Sequence, residues 1–152
     1  MNDADAEPLW LSLVTLGVGD LARAVAFYEA LGLRRRVREA AGVAFFQAGG
    51  PSGGVVLSLY PRHELAADAG LLDGRPGGFG GIALACNRAS RAAVDETLRA
   101  AVAAGGRALR PAQETFWGGY SGYVADPDGY PWEVAHNPGF TLGPDGRLAL
   151  PE

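Results

Sequence analysis

The stretch VADPDGYPWEV, residues 124–134, places one carboxylate among apolar neighbours. Its DPDG segment has the composition of a tight turn, because proline presets the first turn position and Gly129 tolerates a positive φ. Glu133 follows in a run that alternates like a strand. A partly buried carboxylate could act as a general base, anchor a cationic or hydroxylated ligand, or only accept hydrogen bonds from its neighbours. The turn aspartates need no catalytic role.

Few other side chains offer reactive groups. His63 lies in a Gly-rich segment, and His136 alternates to the strand face opposite Glu133, so both are predicted to be surface or capping residues. Cys86 lies in GIALAC, which indicates a small core residue rather than a nucleophile. Because it is the one cysteine in the chain, an internal disulfide is excluded.

The composition suits one compact domain over residues 1–152, because 48% of the residues are hydrophobic. The net charge is −4, and all the positive charge comes from arginine. The basic cluster Arg34, Arg35, Arg36 and Arg38 falls on a predicted strand without interleaved aromatic residues, which favours a solvated edge over nucleic-acid binding. The chain has no apolar run of about eighteen residues, and its start, MNDADAEP, is unlike a signal peptide. We therefore expect a cytoplasmic protein with neither a membrane nor a nucleic-acid partner.

Residues 9–61 predict the element order β-α-β-β-β. The aliphatic strand LSLVTLGV precedes Asp20, which can cap a helix in LARAVAFYEALG, and Gly32 ends that helix. Three strand candidates follow, namely LRRRVRE, GVAFFQA and GVVLSLY.

Residues 80–137 repeat this order after a Gly-rich linker, residues 62–79, with one possible helical turn at HELAADAG. The second set consists of the strand GGIALAC, a helix over residues 91–104 capped by Ser90, and the strands RALRPA, GGYSGYVA and PWEVAHN. An apolar tail, residues 138–152, needs a surface to lie on.

The two halves share a register, which predicts an internal duplication. LVTLGVGD can be laid on GIALACNR with Leu13 against Gly81. In each half, one helix crosses one face of a four-stranded mixed sheet and leaves the other face open. We therefore predict an α+β fold in which two tandem βαβββ modules form a curved mixed sheet around a groove. A small organic ligand would bind there.

Strand alternation predicts which side chains face this groove, if Ser58 and Glu133 are both taken to point into it. Trp117 precedes the seventh strand, where its ring either stacks on a flat ligand or fills the core. The candidate catalytic residue is Glu133. The predicted ligand-binding residues are Phe45, Gln47, Ser58, Tyr60, Trp117, Ser121, Tyr123 and Glu133.

The segments TLGVGDLARAVAFYEALGL and GGYSGYVADPDGYPWEV resemble the vicinal-oxygen-chelate superfamily. This superfamily includes glyoxalases, extradiol dioxygenases, fosfomycin-inactivating enzymes and bleomycin-resistance proteins. The resemblance extends from about Trp10 to Pro138. It implies the fold predicted above, and it implies a homodimer, but it implies no single activity, because this scaffold hosts unrelated chemistries.

Metal-dependent members of the superfamily take their ligands from four matched strand positions. The resemblance places these positions on Leu13, Ser58, Gly81 and Glu133, of which only the glutamate is a strong ligand. A divalent transition metal usually needs three or four imidazole, thiolate or carboxylate ligands. We therefore predict no metal and no other cofactor.

These observations predict a metal-independent protein that captures a small aromatic or amphipathic ligand in the groove, as bleomycin-resistance proteins do. One alternative is an enzyme, either a lyase or isomerase with Glu133 as base or a dioxygenase-like protein with Glu133 as a residual metal ligand. The other alternative is an accessory domain without a ligand. The apolar tail FTLGPDGRLALPE adds to the expectation of a homodimer.

Overall fold

The structure is a computed structural model that describes residues 9–51, 53–74 and 78–152. The acidic start at residues 1–8, Ser52 and residues 75–77 of the predicted linker lie outside the described residues. The elements of the first half are β1 (Leu13–Val18), α1 (Leu21–Ala30), β2 (Arg35–Arg36), β3 (Ala44–Gln47) and β4 (Val56–Pro61). Helix α2 (Arg62–Asp68) follows.

The second half repeats this order and ends in a short hairpin. Its elements are β5 (Leu84–Asn87), α3 (Arg91–Ala103), β6 (Arg107–Glu114), β7 (Tyr120–Ala125) and β8 (Pro131–His136). The hairpin strands are β9 (Thr141–Leu142) and β10 (Leu148–Ala149).

Each half forms a four-stranded mixed sheet. The first sheet has the strand order β1-β4-β3-β2, and the second sheet has the order β5-β8-β7-β6. In both sheets the first strand runs parallel to the last strand, and the remaining neighbours are antiparallel. The predicted α+β class and the internal duplication are therefore confirmed.

The long helices begin and end where the sequence predicts. Asp20 Oδ1 accepts the Arg23 N–H at 3.0 Å, and Ser90 Oγ accepts the Ala93 N–H at 3.1 Å. These bonds satisfy backbone donors that the first helical turn leaves unpaired. Gly32, with a φ of 90°, follows α1. Over the described ranges, no helix has the length and apolar character needed to cross a membrane.

One predicted strand is shorter in the structure, and the possible helical turn of the linker is present. Strand β2 contains only Arg35 and Arg36 of the arginine cluster, because Val37 has a φ of 48°, which interrupts extended backbone. The possible helical turn at HELAADAG forms part of α2, whose backbone packs over β1. A Cβ added to Gly17 would lie 3.1 Å from the Cα of Arg62, so glycine permits this approach.

The helix-covered faces of the two sheets contribute to one hydrophobic core. Its side chains include Leu16, Val18, Phe27, Tyr28, Phe46, Leu59, Ala101, Val124 and Trp132. Because side chains alternate along a strand, the opposite face of each sheet points away from this core. We call these two surfaces the open faces.

A buried hydrogen-bond network at the DPDG turn joins the two halves. The Tyr28 hydroxyl donates to Asp126 Oδ2 at 2.6 Å, and Trp132 Nε1 donates to the Tyr28 oxygen at 3.1 Å. Asp126 Oδ1 accepts the backbone N–H groups of Asp128 and Tyr130. The turn composition predicts the backbone bonds but not Tyr28, which lies 98 residues away in sequence.

The C-terminal tail lies against the loop between β3 and β4. Gly50 in this loop has a φ of 116°, and a Cβ added to it would lie 2.5 Å from the carbonyl oxygen of Asp145. Glycine is therefore required at this close approach. Part of the tail thus packs against its own chain, although Leu150 is exposed.

Candidate functional site

The open face of the first sheet carries the predicted residues of β3 and β4. Phe45 pairs with Ser58, and Gln47 pairs with Val56. Tyr60 lies two residues beyond Ser58 and therefore on the same face. Ser58 is buried, and the aromatic side chains are partly exposed. The prediction of which side chains share this face is thus correct, while ligand binding by these residues stays a prediction.

The open face of the second sheet brings three predicted residues together with one that the sequence analysis missed. Tyr123 pairs with Glu133 on β8 and with Arg110 on β6. The Tyr123 hydroxyl donates to Glu133 Oε2 at 2.9 Å. Arg110 Cζ lies 5.2 Å from the centroid of the Tyr123 ring, and Arg110 Nη2 donates to Ser121 Oγ at 2.9 Å. These four residues form what we call the Arg110 cluster.

Tyr123 acts in this cluster as a neutral hydrogen-bond donor. Burial raises the pKa of the Tyr123 phenol, the hydrogen bond to Glu133 and its negative charge raise it further, and the Arg110 charge lowers it. The phenol therefore keeps its proton at neutral pH and holds Glu133 Oε2 in place. Glu133 Oε1 accepts no hydrogen bond from any residue that the structure describes.

Irregular pairing of β6 determines where Arg110 lies. The register between β6 and β7 shifts immediately before Arg110 and again between Arg110 and Gln113. Such bulges re-aim side chains within a sheet. Gly122 on β7 makes room for the bulge, because a Cβ there would lie 2.6 Å from Leu98 Cδ1 and 2.9 Å from the backbone N of Ala112. Pro111 lies within a predicted strand, and a proline at such a position indicates an edge strand or a bulge.

Trp117 lies in the turn between β6 and β7, and its ring packs on that same turn. A Cβ added to Gly119 would lie 1.7 Å from Trp117 Cζ3. Thr115 closes the turn, since its N–H donates to the Gly119 carbonyl and its hydroxyl accepts the Gly119 N–H. No hydrogen bond or aromatic contact joins Trp117 to the Arg110 cluster in the described part of the chain. Ligand stacking on Trp117 stays a prediction.

The histidines and the cysteine lie away from this cluster. The side chain of His63 is exposed at the start of α2. His136 Nδ1 lies 3.0 Å from the Arg88 carbonyl oxygen, on the β8 face opposite Glu133, as predicted. Cys86 lies on the helix-covered face, where burial raises the pKa of its thiol, but the residue is only partly buried and lies outside the core described above.

The strand registers define the matched positions of the two sheets. Ser58 pairs with Thr15 on β1, and Glu133 pairs with Ala85 on β5. Thr15 and Ala85 each lie five residues before the residue that caps the next helix.

These registers correct the sequence alignment of the two halves. Leu13 lies two residues before Thr15, and Ala83 lies two residues before Ala85, so the structure matches Leu13 with Ala83. The predicted match of Leu13 with Gly81 is therefore wrong by two residues. A slip of two residues keeps every side chain on its face, which is why alternation did not reveal it.

The donor set at these matched positions does not fit a divalent transition metal. Leu13 and Ala83 have no donor atom, Ser58 offers one hydroxyl, and Glu133 offers one carboxylate. Among residues 9–51, 53–74 and 78–152, no group of three or more His, Cys, Asp or Glu is placed to hold a metal ion.

Two concave surfaces lie beside the helices rather than on the open faces. One, of about 410 Å³, is lined by Asp95, Leu98, Arg99, Val102, Pro111 and Ala112. The other, of about 430 Å³, is lined by Leu21, Ala22, Val25, Ala26, Glu29 and Arg35. Neither contains a predicted ligand-binding residue.

Comparison with known proteins identifies the family. A family model described as the Glyoxalase/Bleomycin resistance protein/Dioxygenase superfamily matches residues 10–134. The chain belongs to this superfamily. A search of the curated proteins found no relative.

Solved structures of the superfamily have the same fold. A glyoxalase-related enzyme from Fulvimarina pelagi is 37% identical, with a TM-score of 0.82 over 94% of this chain and 99% of that chain. Lactoylglutathione lyase from Agrobacterium tumefaciens is 27% identical, with a TM-score of 0.62 over 86% and 96% of the two chains. A glyoxalase/bleomycin resistance protein/dioxygenase from Nocardioides, 24% identical with a TM-score of 0.70 over 92% and 93%, supports the fold alone.

Proposed function

We propose that this protein binds a small aromatic or amphipathic organic molecule on the open face of the second sheet, without a metal ion held by the protein. The observation that carries the proposal is the Arg110 cluster. A tyrosine ring lies between a carboxylate and a guanidinium, and hydrogen bonds to Glu133 and Ser121 hold these groups in place. An aromatic surface with polar groups on both sides suits a flat ligand.

Each member of the cluster has a separate task in this proposal. The ring of Tyr123 supplies a stacking surface, and its hydroxyl orients the carboxylate of Glu133. Glu133 Oε1 then accepts a hydrogen bond from the ligand. Ser121 is buried and positions Arg110 through its hydroxyl. Because the cluster is held before the ligand arrives, little side-chain entropy is lost on binding.

A screen of small aromatic compounds tests this proposal. Thermal unfolding and tryptophan fluorescence would be followed for the wild type, Tyr123→Phe and Glu133→Gln, with Ser58→Ala on the other open face as the matched control. A ligand is expected to raise the melting temperature of the wild type and of Ser58→Ala. Both cluster variants should bind it about tenfold more weakly. Equal binding by all four proteins would place the ligand on another surface.

The metal-independent part of the proposal has its own test. Protein purified without a chelator is expected to contain far less than one equivalent of metal, because Glu133 is the one strong donor at the matched positions. Elemental analysis measures this directly. Near-stoichiometric Zn, Ni, Mn or Fe that disappears in Glu133→Ala would overturn this part of the proposal.

An enzyme that uses Glu133 as a general base is the second candidate. The observation that favours it is the 37% identity with a protein described as a glyoxalase-related enzyme. Glu133 Oε1 is the atom that would take the proton, because Oε2 is bonded to Tyr123. If a bound compound is converted to a product detected by mass spectrometry, Glu133→Gln should abolish the conversion. Unchanged turnover in this variant would exclude the base role.

We also propose that the protein is a homodimer. Leu9, Trp10 and Leu11 are 95%, 79% and 63% exposed, and they lead into β1, which is an edge strand of its sheet. Adjacent exposed apolar side chains beside an unpaired strand edge are typical of a protein interface. Sedimentation analysis should give a dimer, with Trp10→Ser shifted toward the monomer. A monomeric wild type at micromolar concentration would refute this.

A further inference from the structure

We propose that the ligand is an aromatic carboxylate with a hydroxyl or amino group at the opposite end of its ring. Arg110 binds the carboxylate, and Glu133 accepts a hydrogen bond from the opposite group. This inference rests on the proposed function, and it assigns the chemical class of the ligand and the orientation in which it binds.

The first argument is the charge of Arg110. Its side chain is half-buried, and in the described chain its one hydrogen bond goes to the neutral hydroxyl of Ser121. Six other arginines form ion pairs, namely Arg23, Arg38, Arg62, Arg91, Arg99 and Arg147. A guanidinium has five N–H donors, so a partly desolvated one with a single neutral partner favours an oxyanion.

The contact with the Tyr123 ring does not replace such an anion. Cζ of Arg110 lies 5.2 Å from the ring centroid, which is a cation–π distance. This contact attracts the positive charge but leaves the remaining N–H groups without acceptors. A carboxylate bound in the plane of the guanidinium would satisfy two of them together.

The second argument is that Arg110 is held in position before a ligand binds. Ser121 is 1% exposed, and its hydroxyl accepts the bond from Arg110 Nη2. The first sheet offers a comparison, because Arg36 pairs with Phe45 as Arg110 pairs with Tyr123. Arg36 is exposed, and the described residues give it neither a hydrogen bond nor an aromatic contact. Between the two open faces, as far as the structure describes them, a cation held by a hydrogen bond therefore lies on that of the second sheet.

The third argument is the spacing of the charged groups. Arg110 lies on β6 and Glu133 on β8, with Tyr123 on the strand between them. Neighbouring strands lie about 4.8 Å apart, so the two backbones are separated by roughly 10 Å. In the proposed complex, the aromatic ring of the ligand lies between these two charged groups. A second anion at the far end would be repelled by Glu133, whereas a hydroxyl or amino group would donate to it.

Isothermal titration calorimetry with two matched probes tests this inference. The probes are para-hydroxybenzoate and its uncharged analogue para-hydroxybenzamide. The proteins are the wild type, Arg110→Gln, Arg110→Lys and the control Arg36→Gln from the first sheet. The wild type and the control should bind the benzoate about tenfold or more tighter than the amide. Arg110→Gln should lose this preference, and Arg110→Lys should keep part of it.

The preference is a ratio measured within each protein, so a general loss of stability does not imitate the expected result. Equal or tighter binding of the amide by the wild type would overturn the carboxylate class and leave the proposed function standing. A benzoate preference that survives in Arg110→Gln would overturn the role of Arg110. Binding of neither probe by the wild type would overturn the assigned ligand class, whereas the proposed function is overturned only by the compound screen described for it.

Discussion

The two sheets have matching registers but different chemistry on their open faces. In the first sheet, Ser58 lies beside Phe45, whereas in the second sheet Glu133 lies beside Tyr123. The same backbone pairing thus presents a hydroxyl and a phenyl ring on one face and a carboxylate and a phenol on the other. The two sheets thus present equivalent surfaces, and these side chains make the open face of the second sheet the more polar one.

The turns between the last two strands differ in the same way. The DPDG turn of the second sheet is joined to α1 by the buried bond between Asp126 and Tyr28. The corresponding loop of the first sheet is rich in glycine and contacts the C-terminal tail through Gly50. Three pairs of variants, with one member of each pair in either region, test how far this difference extends, and a fourth test follows the pH dependence of stability at Asp126.

The largest expected effect comes from Asp126→Ala. This change leaves the Tyr28 hydroxyl and two backbone N–H groups without their acceptor, so the free energy of unfolding should fall by about 3 kcal/mol or more. Asp145→Ala, in the tail that contacts the first sheet, should change it by only about 0.5 kcal/mol, because Asp145 is more exposed. Urea unfolding measures both values. Similar effects would remove the distinction between the two turns.

Gly122→Ala and Ala44→Gly form the second pair, because these residues lie at matched positions of β7 and β3. The added Cβ at Gly122 would collide with Leu98 and Ala112, so we expect a loss of about 2 kcal/mol and weaker para-hydroxybenzoate binding as the bulge shifts. The change in β3 should cost about 1 kcal/mol and leave binding intact. Unchanged binding in Gly122→Ala would show that the bulge does not position Arg110.

Ser121→Ala and Ser58→Ala compare the buried serines of the two open faces. Ser121 holds Arg110, so its loss should lower the free energy of unfolding by about 1 kcal/mol and weaken binding of para-hydroxybenzoate. Ser58 has no side-chain hydrogen bond within the described residues, so its replacement should be nearly neutral. Denaturant unfolding measures the change in stability, and calorimetry measures the change in para-hydroxybenzoate binding. The reverse order of effects would contradict the assignment of the polar face.

The smallest expected effect concerns pH. Burial raises the pKa of Asp126 above its ordinary value of 3.8, while the bonds from Tyr28 and the backbone oppose this rise. The folded state then holds this proton more tightly than the unfolded chain, so stability falls as pH rises through the raised pKa. Wild-type stability relative to Asp126→Asn should therefore be greatest at acidic pH and decline as pH rises. Unfolding curves at several pH values measure this difference, and a difference that grows with pH would contradict the shift.

The sequence predicted the strand phase of both open faces but not the contacts between strands. Alternation is a local property, so it placed Phe45 with Ser58 and Tyr123 with Glu133 correctly. It did not distinguish registers two residues apart, and Leu13 was therefore matched with the wrong residue of the second half. The positions of the helix caps would have settled this register.

Arg110 and Tyr28 were missed for two different physical reasons. The position of Arg110 depends on a bulge, and a one-residue irregularity disrupts the alternation on which sequence reasoning depends. Tyr28 lies in the first predicted helix, but its bond to Asp126 depends on how the two halves pack. Such long-range polar contacts leave no periodic pattern in a single sequence.

Amide chemical shifts of isotope-labelled protein titrated with para-hydroxybenzoate test most directly whether the second sheet carries the binding face. We expect the largest changes on β6, β7 and β8, centred on Arg110, Tyr123 and Glu133, and small changes on β3 and β4. Largest changes on the first sheet, or along the concave surfaces beside α1 and α3, would contradict the assignment.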